Sequence, residues 1–456
     1  MKERKNVYKL PAGDKTLEWY AKAVIAMKQK PTTDPRSWNF QAAIHGFNAN
    51  LPAWQGSAPI PSRLITQQFW NQCQHGSWYF LPWHRMYLAQ FESIVAQTIV
   101  ELGGPPDWAL PYWNYSDTSN PQARTMPPAF TSPANAGNGL WRSGRQNTTI
   151  PARYVSLSAL RVIPFTGNGQ NSPLGFGGPE TPFSHNGGTH GELEQLPHDV
   201  VHGIIGGVMG DPRTAALDPI FWLHHANIDR LWQVWLNQGG RLNPKQNSWL
   251  DLKFNFYSKT GKPGTMTSRD VLDTRTILGG YVYQDVPPSA APVFESAEAA
   301  PDFSEPLEIV AASNKKLNLE SAATSVTLTI VPPRKEKPRM ESASDTPATT
   351  ILHFENIKGK GQPPVHDVYI NPPESGDKEA YYAGSLGFFG VEEASTASTH
   401  HSGSGQHLAL DISELVAKLR TEGDWKGKKL NVVLEPTRKL EEGEKVTIGR
   451  ISLYSA

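Results

Sequence analysis

The sequence holds a single cysteine in 456 residues. One thiol cannot close an intrachain disulfide, so the fold does not rest on an oxidising compartment. Charge excess is also absent, with 43 Lys and Arg against 43 Asp and Glu. That balance offers no basic surplus for nucleic acid or for an anionic membrane, and neither is expected as a partner. Long apolar runs are missing too. No stretch reaches the roughly 18 residues that a membrane helix needs. The opening MKERKNVYKLPAGDKTLEWYAK is basic but lacks the apolar segment of a secretory signal. A cytoplasmic location is the default expectation; export in company with a partner, and the oligomeric state, stay open.

The chain is rich in aromatic residues and histidine, and its texture changes partway along. Residues 1–286 read as mainly helical with long loops. LEWYAKAVIAMKQK (17–30), PWHRMYLAQFESIVAQTIVEL (82–102) and DPIFWLHHANIDRLWQVWL (218–236) carry apolar residues at helical spacing. The last opens with Asp218 in the capping place and Pro219 at the first helical position. Residues 287–305, rich in Pro, Ala and Ser, read as a linker. Residues 306–456 hold short β-rich runs separated by turn residues, the pattern of an antiparallel sandwich. A second break, PPRKEKPRMESASDTP (332–347), reads as an exposed, protease-sensitive loop.

Six of the 14 histidines fall into two sets of three: His45, His75 and His84, then His198, His202 and one of the pair His224–His225. In PHDVVHG, the spacing of four puts His198 and His202 on one helical face. Imidazole suits zinc, copper, iron and nickel, and this spacing does not choose among them. These histidines lie on aromatic stretches, where burying an unpaired ring is costly. No carboxylate occupies the place it has in a zinc-hydrolase H-E-x-x-H. Two all-nitrogen triplets therefore suit a pair of copper ions better than a hydrolytic pair.

HGSWYFLPWHRMYLAQFE and DPIFWLHHANIDRLW resemble the two copper signatures of the tyrosinase and polyphenol oxidase family, which holds a type-3 dinuclear copper site. DPRSWNFQAAIHG, LPYWNY and GELEQLPHDVVHG follow in family order. The segment 248–284, with its Tyr-x-Tyr of Tyr281 and Tyr283, resembles the close of the plant catalytic domain. HDVYINPP and KVTIGRISL resemble the plant-type C-terminal domain.

The resemblance implies a helical catalytic domain (1–286) whose four-helix bundle holds two copper ions, and a β-sandwich (306–456) that shields the site. Copper A would be held by His45, His75 and His84, and copper B by His198, His202 and His225, with His224 packing beside them. Cys73, two residues before His75, has the spacing of the fungal cysteine that forms a thioether with the second copper-A histidine. Glu194 matches the glutamate that holds a water near copper. Asp199 stands where members active on monophenols often have asparagine. Asp229, four after His225, could accept a hydrogen bond from the far N–H of a ligand ring, or pair with Arg230 or Arg85. Phe388 or Phe389 is the candidate plug of the pocket. His185 and His190 read as structural or exposed.

The implied activity is a latent, O2-dependent oxidation of o-diphenols, and possible hydroxylation of monophenols, to o-quinones, with a small phenol as partner. The alternatives are a haemocyanin-like oxygen binder and an o-aminophenol or other specialised biosynthetic oxidase. A zinc site is separated from all of these by metal analysis.

Overall fold

The structure is a computed structural model that describes residues 1–167, 174–185, 188–287, 307–331, 349–398, 402–425 and 427–455. The expected linker, beyond Pro287, and the break at 332–347 lie outside the described residues. So do His400 and His401.

The first part is built on α1 (Thr16–Lys28), α2 (Trp38–His45), α3 (Arg63–Phe69), α4 (Phe80–Glu101), α5 (Val200–Ile205), α6 (Pro219–Leu236) and the short α7 (Asn247–Asp251). The three helices read from sequence appear with their ends within two residues of the expected ones. α6 starts where its chemistry says it should. The Asp218 carboxylate accepts from the Ile220 N–H at 3.1 Å, and Pro219 occupies the first turn. Every residue from Pro219 to Gln233 is buried, and so is every residue from Phe80 to Glu92 in α4. A helix enclosed on all sides lies in the middle of its unit, so α4 and α6 bring their histidines to the centre. Among the described residues, no helix is long and apolar enough to cross a membrane.

Four short strands trim this helical part. β1 (Lys2–Arg4) lies parallel to β4 (Tyr281–Tyr283), while β2 (Phe254–Tyr257) and β3 (Pro263–Met266) form an antiparallel pair. Arg4 reaches inward from β1, fully buried, to Glu92 at 2.7 Å and Asp229 at 3.2 Å. Of its two expected roles Asp229 takes the ion pair with Arg85, joined by Arg4, rather than a place beside a ligand ring. One carboxylate oxygen takes the Arg85 Nε–H, and the other takes Arg4 and the hydroxyls of Tyr281 and Tyr283. Burial opposes its charge, but Arg85 and Arg4 outweigh burial and hold its pKa below the ordinary value. Asp229 locks α6 to α4, β1 and β4. A carboxylate facing two guanidinium groups is drawn to them rather than to a neutral imidazole.

The C-terminal part contains β5 (Glu308–Ala312), β6 (Leu317–Leu319), β7 (Thr324–Thr329), β8 (Thr350–Lys360), β9 (His366–Ile370), β10 (Tyr382–Leu386), α8 (Val391–Ala394), β11 (Gln406–Asp411), α9 (Ser413–Thr421), β12 (Lys429–Pro436), β13 (Lys445–Ile448) and β14 (Arg450–Ser455). One sheet runs β10-β9-β12-β7. The other runs β5-β14-β8-β13-β6, with β11 also on β8. All these pairs are antiparallel. Leu430, Val432 and Leu434 alternate inward along β12, and residues of both sheets share one apolar core.

The two parts meet at the histidines. Val365 and Phe389 belong to the core of the helical part, not to that of the sheets. A Cβ on Gly387 would meet Asp199 at 3.0 Å, and one on Gly203 would meet Val365 at 3.0 Å. The absence of a side chain at Gly387 and Gly203 thus lets the segments after β10 and before β9 lie close against Asp199 and α5.

Candidate metal centre

The six histidines named from the sequence converge on one buried point. His45 ends α2, His84 lies in the first turns of α4, and His75 precedes it in a loop. His198 and His202 flank the start of α5, and His225 lies mid-α6. Within the first triplet the ring centroids are 5.2 Å (His45–His75), 5.6 Å (His45–His84) and 5.3 Å (His75–His84) apart. Within the second they are 4.6 Å (His198–His202), 4.9 Å (His198–His225) and 5.5 Å (His202–His225). The triplets face one another, with His84 and His225 stacked at 4.4 Å and 16°.

Hydrogen bonds fix which nitrogen points inward. His45 Nδ1–H donates to Pro212 O at 2.8 Å, and His84 Nδ1–H to Phe80 O at 2.8 Å. His202 Nδ1–H donates to Met209 O at 2.7 Å, and His198 Nδ1–H to an Asp199 oxygen at 2.8 Å. A carbonyl can only accept, so Nδ1 carries the proton and Nε2 keeps its lone pair. Among the described residues, the Nε2 atoms of His45, His84 and His198 are buried without a protein partner. His202 Nε2 and His225 Nε2 lie 3.3 Å apart. Two nitrogens each about 2.0–2.1 Å from one tetrahedral ion stand about that far apart. Burial pushes His45 down to about 3 and the other five well below the ordinary imidazole value. All six are neutral donors at physiological pH. The donor set therefore fits a pair of imidazole-loving ions.

His224 shares a cluster with His198, His202 and His225 in which all ligand atoms lie within 4.8 Å of one another. Its Nδ1 meets the Tyr115 hydroxyl at 3.1 Å, and its ring contacts are with His198, His202, His225 and Tyr115.

A second cluster, His190, Glu194 and Asp199, borders the first. Asp199 engages both oxygens, one with His198 Nδ1–H and the other with His190 Nδ1 at 2.7 Å. Glu194 accepts the Gly76 N–H at 3.0 and 3.1 Å and lies 3.8 Å from His190. Burial pushes Glu194 up to about 8 and raises Asp199, with His190 opposing both shifts. His190 is fully enclosed here. Of the two roles the sequence offers it, structural or exposed, it does not take the exposed one, and its spacing of four from Glu194 is the signal for this cluster.

Cys73 is fully buried, and burial pushes its thiol well above the ordinary value. Its Sγ shares a cluster with His45 and His75 in which all ligand atoms lie within 4.8 Å of one another. Sγ also lies 3.3 Å from His185 Nδ1, a neighbour the sequence did not announce.

The two phenylalanines separate. Phe389 stacks on His202 at 4.0 Å and 19°, and lies 5.4 Å from His75 and 5.6 Å from His198. Phe388 points into the sheet core, 5.5 Å from His366.

Comparisons with known proteins agree with this geometry. The family model described as the common central domain of tyrosinase matches residues 35–174 and 142–238, and the polyphenol oxidase middle domain matches 243–291. Residues 306–456 match a domain of unknown function. A tyrosinase of Hahella sp. (strain CCB-MM4) is 42% identical over 477 aligned residues, covering 100% of this chain and 99% of that protein. A chloroplastic polyphenol oxidase of Malus domestica is 30% identical, covering 89% of this chain and 71% of its own. The structure of latent apple tyrosinase superposes with a TM-score of 0.63 at 25% identity, covering 100% of this chain and 97% of that one. Fold and site together define a histidine-ligated, dinuclear copper oxidoreductase. The chain belongs to the tyrosinase and polyphenol oxidase family.

Proposed function

We propose that this enzyme oxidises o-diphenols to o-quinones with O2, two diphenols and one O2 giving two quinones and two waters, and that its C-terminal part keeps it latent. The observation that carries this reading is the pair of facing imidazole triplets with inward Nε2 atoms. His45, His75 and His84 would hold copper A, and His198, His202 and His225 copper B, with α2, α4, α5 and α6 acting as a four-helix bundle around them. When bound, the copper pair supplies the two-electron exchange between O2 and the phenol.

The chain's own groups do the rest. Pro212, Phe80 and Met209 carbonyls and the Asp199 carboxylate hold four of the rings in the ligating tautomer. Buried aromatic walls suit a planar ring and exclude water. By the family resemblance Glu194 would hold the water that takes the phenolic proton, and Asp199, bonded to His190 and His198, shares its cluster. Phe389 fills the place of the substrate ring.

Oxygen uptake by copper-loaded protein tests this reading, with 4-methylcatechol and tyramine side by side, before and after limited proteolysis between 287 and 347. Uptake with the catechol after cleavage is the expected result. Uptake with tyramine as well would add monophenol hydroxylation. Silence with both, from protein holding two coppers, would overturn the reading in favour of oxygen binding or a specialised substrate.

Cys73 and the His75 ring are proposed to be joined by a thioether, supported by their shared cluster. Such a bond stops the ring from swinging between copper states. The peptide containing both residues should then be lighter by two hydrogens in the mass spectrum of copper-matured protein. An alkylatable thiol in that sample, after unfolding, would rule the bond out.

A further inference from the structure

We propose that Arg213 is a specificity-determining residue that binds the carboxylate of a phenolic acid, and that the C-terminal segment occupies this position as well as the ring site. The proposal rests on the phenol-oxidase reading above and names its substrate class.

Arg213 follows Pro212, whose carbonyl holds the His45 ring. Trp54 Nε1–H donates to Arg213 O at 2.7 Å, which pins the backbone there. A Cβ on Gly46, the residue after His45, would meet Arg213 Cα at 2.7 Å. The backbone that carries the guanidinium is therefore packed against the chain just after His45. The guanidinium is met by three carboxylates. Asp211, on its own loop, lies 2.7 Å from Nη2. Glu393 and Glu392, from α8, lie 2.6 Å from Nε and 3.4 Å from Nη2.

The two glutamates arrive with the plug. Phe389 packs on His202, Gly390 turns the chain at φ 77°, and α8 starts at Val391. One short segment thus delivers an aromatic ring to the histidines and a carboxylate to Arg213. A phenolic acid with a short arm presents the same two groups. Asp211 takes Nε and Nη2 from its own loop, while Glu393 and Glu392 stand beside the same two nitrogens at 2.6 and 3.4 Å. A planar guanidinium with five N–H donors has room for more than one carboxylate. The intrachain grip is also a costly one. Burial and Asp211 push Glu393 up to about 8, with Arg213 pulling the other way. A carboxylate arriving with a substrate can replace it once the plug withdraws.

The test uses the full-length, copper-loaded chain carrying Phe389→Ala, Glu392→Gln and Glu393→Gln, with and without Arg213→Gln. The substrates are 3,4-dihydroxyhydrocinnamic acid and 4-methylcatechol. Arg213→Gln is expected to lower the acid-to-catechol ratio of kcat/KM by about tenfold or more, the size of a lost charge-assisted hydrogen bond. The loss should fall on KM. Calorimetric titration with unreactive 3-phenylpropionate and 3-phenylpropanol gives a second readout that needs no turnover. The acid should bind more tightly than the alcohol, and Arg213→Gln should erase that preference. An unmoved ratio and an unmoved preference would overturn the proposal. No oxidation of 4-methylcatechol, with the acid preference intact, would instead count against the phenol-oxidase reading alone.

Discussion

Alanine at His225 is expected to lower bound copper from about two ions per chain toward one and to cut oxygen uptake by at least about a thousandfold, the scale of losing a metal's Lewis-acid contribution. Alanine at His224 is expected to keep both ions. The two residues are neighbours on α6, and sequence alone separates them only by family resemblance. The geometry gives a physical distinction. His225 stacks on His84 of the first triplet and brings Nε2 to 3.3 Å from His202 Nε2. His224 is turned toward Tyr115 and touches no ring of the first triplet. Metal analysis of both variants decides the matter. Copper loss in the His224 variant, with the His225 variant intact, would exchange their roles.

Alanine at Phe389 should make the uncut chain active, raising its 4-methylcatechol oxidation by about a hundredfold. Withdrawing a buried aromatic ring from the pocket forfeits roughly 1.5–3 kcal/mol of burial, which is the latch that substrate must otherwise displace. Alanine at Phe388 should do something different. That ring lies in the sheet core, so its loss is expected to cost about 3–5 kcal/mol of C-terminal stability. Activity would then rise only as denaturant loosens that part. Oxygen uptake of uncut protein along a urea series separates the two effects. An inactive Phe389 variant beside an active protease-cut wild type would put the plug elsewhere.

Much of this was legible in the chain because its signals are local. Asp218 and Pro219 announce the start of α6, and the H-x3-H spacing puts His198, in the turn before α5, one turn from His202 within it. Short β-rich runs mark β8, β9, β12 and β14, and β12 alternates besides. What stayed hidden depends on residues far apart in sequence. Arg4 pairs with Asp229 across 225 positions, so no periodicity could assign that carboxylate to β1 and β4 rather than to a ligand ring. His190 meets Asp199 across a kink at Leu196 that no spacing announces. The choice between Phe388 and Phe389 depends on which way each faces, and an unpatterned turn after β10 does not encode that. The contact of Arg213 with α8 lies between two parts that share no sequence pattern at all.

The parallel pairing of β1 with β4 has a mechanical consequence. Lys2, Glu3 and Arg4 are registered against Tyr281, Val282 and Tyr283. A tug on the tail beyond Pro287 against the chain's beginning pulls the two strands along their length in opposite senses. All the rungs of this short ladder then carry load together, rather than opening one after another like a zip. Force reaching residue 287 while the tail is being pried away meets this shear joint, and the histidine-bearing helices lie behind it.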